Sequence, residues 1–180
     1  DCEMYVRAYD NVIDSRLCQT LIEKFNQTEQ LERDNECFNF NEININQTDL
    51  FSEEVSFLAP LLAGYVPRYK HDIGIPDALF PSDYGLEEFR MKMYEPNKGK
   101  FSPHIDSINK ETSKRFLVMF LYLDEGEGGE TFIVDGYNKI EVKRKPGRLL
   151  IFPPFFTFPH EGRMPIGNRK HIIGTYLHYV

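Results

Sequence analysis

From residue 89 onward the sequence falls into short runs rich in Phe, Tyr, Ile, Val and Leu, each closed by a turn signal. The runs span 89–95, 100–106, 115–123, 130–134, 139–143, 148–153 and 169–179. Between them lie Asn97-Lys98-Gly99, Gly126 with Gly128-Gly129, Asp135-Gly136, Pro146-Gly147 and Pro165 with Gly167. Runs this short, punctuated this often, are strands rather than helices, because each is too brief for a stable helix and ends on a residue that helices exclude. Regular short strands with such turns predict an all-β barrel or a double sheet.

The first 88 residues read differently. Met4 to Ile13 predicts a short strand leading into a turn. Asp14 or Ser15 can cap a helix over 15–28, in which Leu17, Leu21, Ile22 and Phe25 recur at helical spacing. Residues 30–48 are polar and Asn-rich, with weak strand character in 36–45. Val55, Leu58, Leu61, Leu62 and Val66 predict a second helix over 49–67, broken or kinked at Pro60. Residues 68–88 carry Gly74, Pro76, Pro81 and Gly85 and read as a long loop, a lid or a surface excursion. The expected class is α+β: one domain over 1–180, with N-terminal helices (1–88) packed on a β-core (89–180).

Composition narrows the functions. The chain has 180 residues, 41% of them hydrophobic, enough for one cored domain. Fifteen Phe and ten Tyr lean towards sheet. With 21 basic and 28 acidic residues the net charge is −7, so no general attraction to nucleic acid or anionic membrane is expected. The local basic group Lys139, Lys143, Arg144, Lys145 and Arg148 is expected to be a solvated hairpin. Cys2, Cys18 and Cys37 match no zinc spacing and suggest reduced thiols in a cytoplasmic, reducing compartment. The sequons at Asn26 and Asn46 would matter only in a secreted protein. No apolar run reaches the length of a membrane span. No signal peptide is visible, although the chain begins at Asp1 and a trimmed leader stays open.

The chemistry gathers around His104-Ile105-Asp106. Side chains two apart on a strand share a face, so the imidazole and carboxylate project together. His160, in Phe158-Pro159-His160-Glu161-Gly162, is the candidate third ligand. Two imidazoles and one carboxylate on one face of an octahedral ion leave three positions open, the arrangement of non-haem iron(II) oxygenases. His-x-Asp alone is weak, since five histidines make chance pairing easy. Lys170 strengthens it. It lies in an apolar run, and alternation puts it on the face of Ile172, Gly174 and Tyr176, with Arg169 and His171 opposite. An inward lysine needs a partner charge, which a dicarboxylic cosubstrate could supply.

These segments resemble the prolyl 4-hydroxylase-like branch of the iron(II)/2-oxoglutarate dioxygenases. The match runs from Tyr94 through Asp106, then Phe120-Leu121-Tyr122-Leu123-Asp124 with Gly128-Gly129-Glu130-Thr131, then Pro146 to Phe152, then His160 and Lys170. Asn11-Val12-Ile13-Asp14 with Cys18 and Leu21-Ile22 resembles the family's entry helix. The resemblance implies a double-stranded β-helix, or jelly roll, with the site in its mouth. It implies His104, Asp106 and His160 as iron ligands and Lys170 on the distal carboxylate of 2-oxoglutarate. Tyr122 matches a tyrosine that bonds the same carboxylate, and Tyr94 one in the cosubstrate pocket. The Gly128-Gly129 pair is expected to serve backbone geometry.

The implied cofactors are Fe(2+), 2-oxoglutarate and O2, with ascorbate allowed beside them. The implied reaction hydroxylates an unactivated C–H bond and releases succinate and CO2. Peptidyl proline is the favoured substrate, and other side chains or small molecules are the alternatives. Specificity is expected in loops 68–88 and 107–114. Two competing readings are a cupin-like metal-binding barrel and a non-catalytic interaction module; Lys170 together with an intact triad argues against both.

Overall fold

The structure is a computed structural model in which residues 4–180 are described. The chain runs β1 (Arg7–Tyr9), α1 (Ser15–Asn26), β2 (Leu31–Asp34), β3 (Phe38–Asn44), α2 (Ser52–Ala63), α3 (Tyr65–Ile73), β4 (Tyr84–Leu86), β5 (Arg90–Tyr94), β6 (Lys100–His104), β7 (Arg115–Tyr122), β8 (Thr131–Asp135), β9 (Asn138–Val142), β10 (Leu149–Phe152), β11 (His160–Gly162) and β12 (Lys170–Tyr179). The strands join one antiparallel sheet in the order β1-β10-β7-β12-β5-β3-β6-β11-β8-β9, with β2 on β3 and β4 on β12. The sheet curls into a nearly closed jelly roll with helices on one side.

Alternation along the central strands explains both sides. On β7, Leu117, Met119 and Leu121 join the cluster beneath the helices, whereas Val118 and Tyr122 join the cluster inside the barrel. On β10, Leu149 and Ile151 face the helices and Leu150 and Phe152 the interior. A strand buried on both faces must be apolar at every position, which is why these runs read as unbroken hydrophobic stretches. The helical side is completed by Leu21 and Phe25 of α1, Leu58 and Leu62 of α2, and Val66 and Tyr69 of α3, all buried. Asp14 caps α1 by accepting from the Leu17 amide at 2.8 Å.

Several boundaries differ from expectation. The first strand shortens to Arg7–Tyr9, pairs with β10 and is followed by Asn11 at φ 58. The polar stretch 30–48 contains a second strand, β2, which pairs with β3. The helix over 49–67 is two helices, and the break falls at Gly64 rather than Pro60. Pro67 explains this. It lacks the N–H that would bond the Ala63 carbonyl, and its ring crowds that carbonyl. Residues 68–73 are therefore the second half of α3, ended by Gly74 at φ 70, and not loop. The remainder of 68–88 holds a 3-10 turn at Asp77–Leu79 and β4.

Candidate metal and cosubstrate site

Cross-strand register builds the metal group. His160 opens β11 and lies directly opposite His104, the last residue of β6. Residues 56 positions apart thus become neighbours, with ring centroids 4.3 Å apart. Asp106 lies beyond the end of β6, in a bend rather than in the expected strand 100–106. The Pro154 carbonyl fixes its backbone by accepting the amides of Asp106 and Ser107, both at 3.1 Å. The ligand atoms of His104, Asp106 and His160 all fall within 4.8 Å of one another.

The donor set fits a cation. His104 Nδ1 lies 2.7 Å from the Ser102 carbonyl and His160 Nδ1 lies 3.3 Å from the Phe158 carbonyl. A carbonyl only accepts, so Nδ1 carries a proton, and the neutral form of each imidazole presents an Nε2 lone pair to the cavity. His160 Nε2 is 3.0 Å from Asp106 Oδ2, yet both atoms are buried without a hydrogen-bond partner. Two acceptors this close repel unless a cation lies between them. Burial raises the Asp106 carboxyl; positive charge facing it, on protonated imidazoles or on a bound cation, outweighs that and holds the group well below the usual carboxylate range. Phe101 stacks on His104 with centroids 3.7 Å apart, and Phe152 meets His160 edge-on at 4.7 Å.

Lys170 opens β12 opposite Tyr94 and is 2% exposed, whereas Arg169 is exposed and bonds Glu95. The inward phase read from alternation therefore holds. The Lys170 ammonium lies 5.0 Å from the Tyr94 ring centroid and 5.8 Å from that of Tyr122. No described carboxylate pairs with it directly. Burial and the Arg144 charge pull its pKa down to about 8, against Asp124 and Glu130. Tyr94 lines the same cavity as the triad and Lys170; Tyr122 sits one layer behind and bonds Thr131 Oγ1 at 2.5 Å. Burial raises both phenols far above an ordinary tyrosine.

Other cavity residues were not singled out as site residues from the sequence: Thr131, Phe101, Lys92 and Tyr176 also line it. Thr131 stood in a turn motif that drew attention only for its glycines. Those glycines are forced by geometry. Gly128 and Gly129 have φ 70 and 72, and a Cβ on Gly128 would lie 2.6 Å from the Met164 carbonyl oxygen.

One expectation is overturned. Arg144 is buried, not part of a solvated hairpin, while Lys143 and Lys145 on either side are exposed. Its guanidinium donates to Asp124, Asn168 and the carbonyls of Glu127, Gly128 and Arg169. Asp124 in turn accepts from the His171 amide at 2.9 Å. This network pins the glycine turn to the start of β12 and so positions Lys170. Arg144→Met should cost about 3–5 kcal/mol, because it leaves a buried carboxylate and several carbonyls unpaired. Urea unfolding measures it, and a loss under about 1 kcal/mol would show that the turn holds without the guanidinium.

Known proteins place this geometry. The sequence profile described as the 2OG-Fe(II) oxygenase superfamily matches residues 89–178. No curated protein matches the sequence. Among solved structures, a Pseudomonas putida prolyl-4-hydroxylase is similar at 16% identity and TM-score 0.72, covering 97% of this chain and 92% of its own. A Trichoplax adhaerens prolyl hydroxylase, in complex with a hypoxia inducible factor oxygen degradation domain peptide, reaches TM-score 0.79 at 14% identity, covering 98% and 84%. The non-heme alpha ketoglutarate dependent epimerase SnoN from nogalamycin biosynthesis reaches 0.71 at 13%, covering 97% and 78%. At these identities the structures share a fold, and they carry different reactions on it. With half of its length matching the profile, the chain belongs to the 2OG-Fe(II) oxygenase superfamily, which uses Fe(2+), 2-oxoglutarate and O2.

Proposed function

We propose that the protein hydroxylates an unactivated C–H bond of peptidyl proline, with His104, Asp106 and His160 as the iron ligands. The observation that carries the metal assignment is the pair of orphaned donors, His160 Nε2 and Asp106 Oδ2, facing each other at 3.0 Å. Iron(II) bound there, with 2-oxoglutarate and O2, supplies oxidative decarboxylation to succinate and CO2 and delivers one oxygen atom to the substrate.

The chain's own residues bind and orient. The Ser102 and Phe158 carbonyls hold the two imidazoles with Nε2 inward. Lys170 meets the distal carboxylate of 2-oxoglutarate through a charge-assisted bond, relieving a burial that no ion pair among the described residues offsets. Tyr94 flanks that carboxylate from the opposite strand, and Tyr122 supports Thr131 at the cavity wall. Phe101 and Phe152 pack against the two imidazole rings and help hold their orientation. Proline as the target rests on the sequence resemblance and on the prolyl hydroxylases among the similar folds.

The test is direct. Purified protein with iron(II) and 2-oxoglutarate should release succinate. Proline-containing peptides should stimulate that release and gain one oxygen atom by mass. Oxidation of small metabolites with proline peptides untouched would keep the oxygenase and discard the prolyl assignment. No succinate under any condition would discard both.

A further inference from the structure

Lys92 is a cavity cation that the reading above does not use. On β5 the residues Arg90, Lys92 and Tyr94 share a face, and they stand opposite Gly174, Ile172 and Lys170 of β12. Tyr94 and Lys170 form the deep end. Lys92 sits one pleat further along, about 6–7 Å away. It lines both the cavity of the triad and an adjoining trough of about 530 Å³ over the inner face of the sheet. It therefore stands where a molecule lying in the trough would reach the metal ligands.

The trough's cations differ in their partners. Arg115 forms a two-pronged pair with Glu87, at 2.9 and 3.0 Å. Arg90 pairs with Glu42 and Glu88. Glu42 faces Lys92 across the β3–β5 ladder but is committed to Arg33 and Arg90. Lys92 has no ion-pair or hydrogen-bond partner among the described residues. Its ammonium lies instead 4.5 Å from the Phe40 ring centroid and 5.6 Å from that of Phe101. Burial lowers its pKa, with Glu42 and Asp106 opposing.

Charge counting sharpens the point. Iron(II), Asp106, doubly ionised 2-oxoglutarate and Lys170 sum to zero, and Glu161, which also lines the cavity, is engaged by Lys139 and Arg163. Lys92 is then a surplus positive charge beside the reacting centre, and a half-buried charge without a partner is unfavourable.

We infer that Lys92 is a specificity residue that receives a carboxylate of the substrate as it passes from the trough to the metal site. The inference rests on the proposed function and adds the substrate's charge to it. The carboxylate can belong to an Asp or Glu beside the target residue in a peptide, or to a free carboxylic acid.

The experiment uses two matched probe sets with the iron(II) and 2-oxoglutarate-loaded enzyme. One holds proline peptides flanked by Asp or Glu against the same peptides with Asn or Gln. The other holds small carboxylic acids against their amides. The enzyme should favour the acid member of one set by about tenfold to hundredfold in kcat/KM, the worth of a charge-assisted hydrogen bond. The set in which this happens identifies the source. Lys92→Met should erase the preference, Lys92→Arg should retain part of it, and neither should shift the KM for 2-oxoglutarate as far as it shifts the acid preference. Thermal melts of both variants check the fold. Equal turnover of acids and amides would overturn the inference, as would a preference that survives in Lys92→Met. A large rise in the KM for 2-oxoglutarate in that variant would place Lys92 in the cosubstrate pocket and overturn it too. Succinate release without oxidation of any acid-bearing probe sinks the inference while the proposed function stands. No succinate at all sinks the proposed function and this inference with it.

Discussion

Asp106→Ala should abolish iron(II) binding and 2-oxoglutarate turnover together. Residues that only orient metal ligands cost about 10–100-fold in affinity when removed, and a direct ligand should cost more. Asp106 supplies the one negative charge of the triad, so its loss leaves two neutral imidazoles that bind a hard divalent ion weakly. A second readout does not depend on activity. A ligand at a hundredfold excess over its Kd stabilises the folded state by about 2.7 kcal/mol. Adding iron(II) anaerobically, or manganese(II) as a stand-in, should raise the Tm of the wild type and leave that of Asp106→Ala where it was. His104→Ala should behave alike. Retained turnover, or an unchanged metal-induced shift in the variant, would reject the ligand assignment. The metal-free variant should fold, because both imidazoles keep their bonds to the Ser102 and Phe158 carbonyls.

Lys170→Met should produce two effects of opposite sign. The KM for 2-oxoglutarate should rise on the order of a hundredfold, since a hydrogen bond to a charged group is worth roughly 1.5–3 kcal/mol. The ligand-free protein should become more stable. Burial and Arg144 lower the Lys170 pKa from 10.5 to about 8, so between those values the unfolded chain binds more protons than the folded one. Stability from this group therefore rises with pH across that window, and its cost is complete below it. At pH 7 the variant should exceed the wild type by on the order of 3 kcal/mol, and the gap should close towards pH 10. Comparing the two proteins at each pH cancels the contribution of the buried tyrosines. Urea unfolding at both pH values decides it. A variant less stable than the wild type at pH 7 would mean that Lys170 is already paired without cosubstrate. An unchanged KM would move the carboxylate anchor elsewhere, and first to Arg169.

The same network links these effects to Arg144. Its guanidinium ties the glycine turn to the start of β12 while adding a positive charge that Lys170 must tolerate. The chain accepts that electrostatic cost in return for a fixed ammonium, the kind of strain that binding sites carry.

Much of the fold was legible in local pattern. Strand alternation and turn residues marked β5, β6, β7, β8, β9, β10 and β12 within a residue or two, because a pleated strand buries side chains by simple parity. The same parity put Lys170 inward and Arg169 outward. Asp14 or Ser15 marked the start of α1, and Asp14 is the cap, since capping is a contact between near neighbours. What depended on distant partners was not legible. β11 is three residues long and exists because β6 and β8 flank it. The break at Gly64 depended on which proline lacked a tolerable position. Arg144 read as one charge among several, because burial is a property of what lies overhead. By itself the sequence determined which side chains share a face, and therefore the motif, the strands and the inward lysine. Only the tertiary structure decided which faces meet. It set His160 against His104 across a ladder, buried Arg144 under the glycine turn, and left Lys92 on two aromatic rings with its cross-strand neighbour Glu42 already engaged. Side-chain direction follows from backbone geometry over two residues, whereas pairing and burial follow from contacts between residues far apart in the chain.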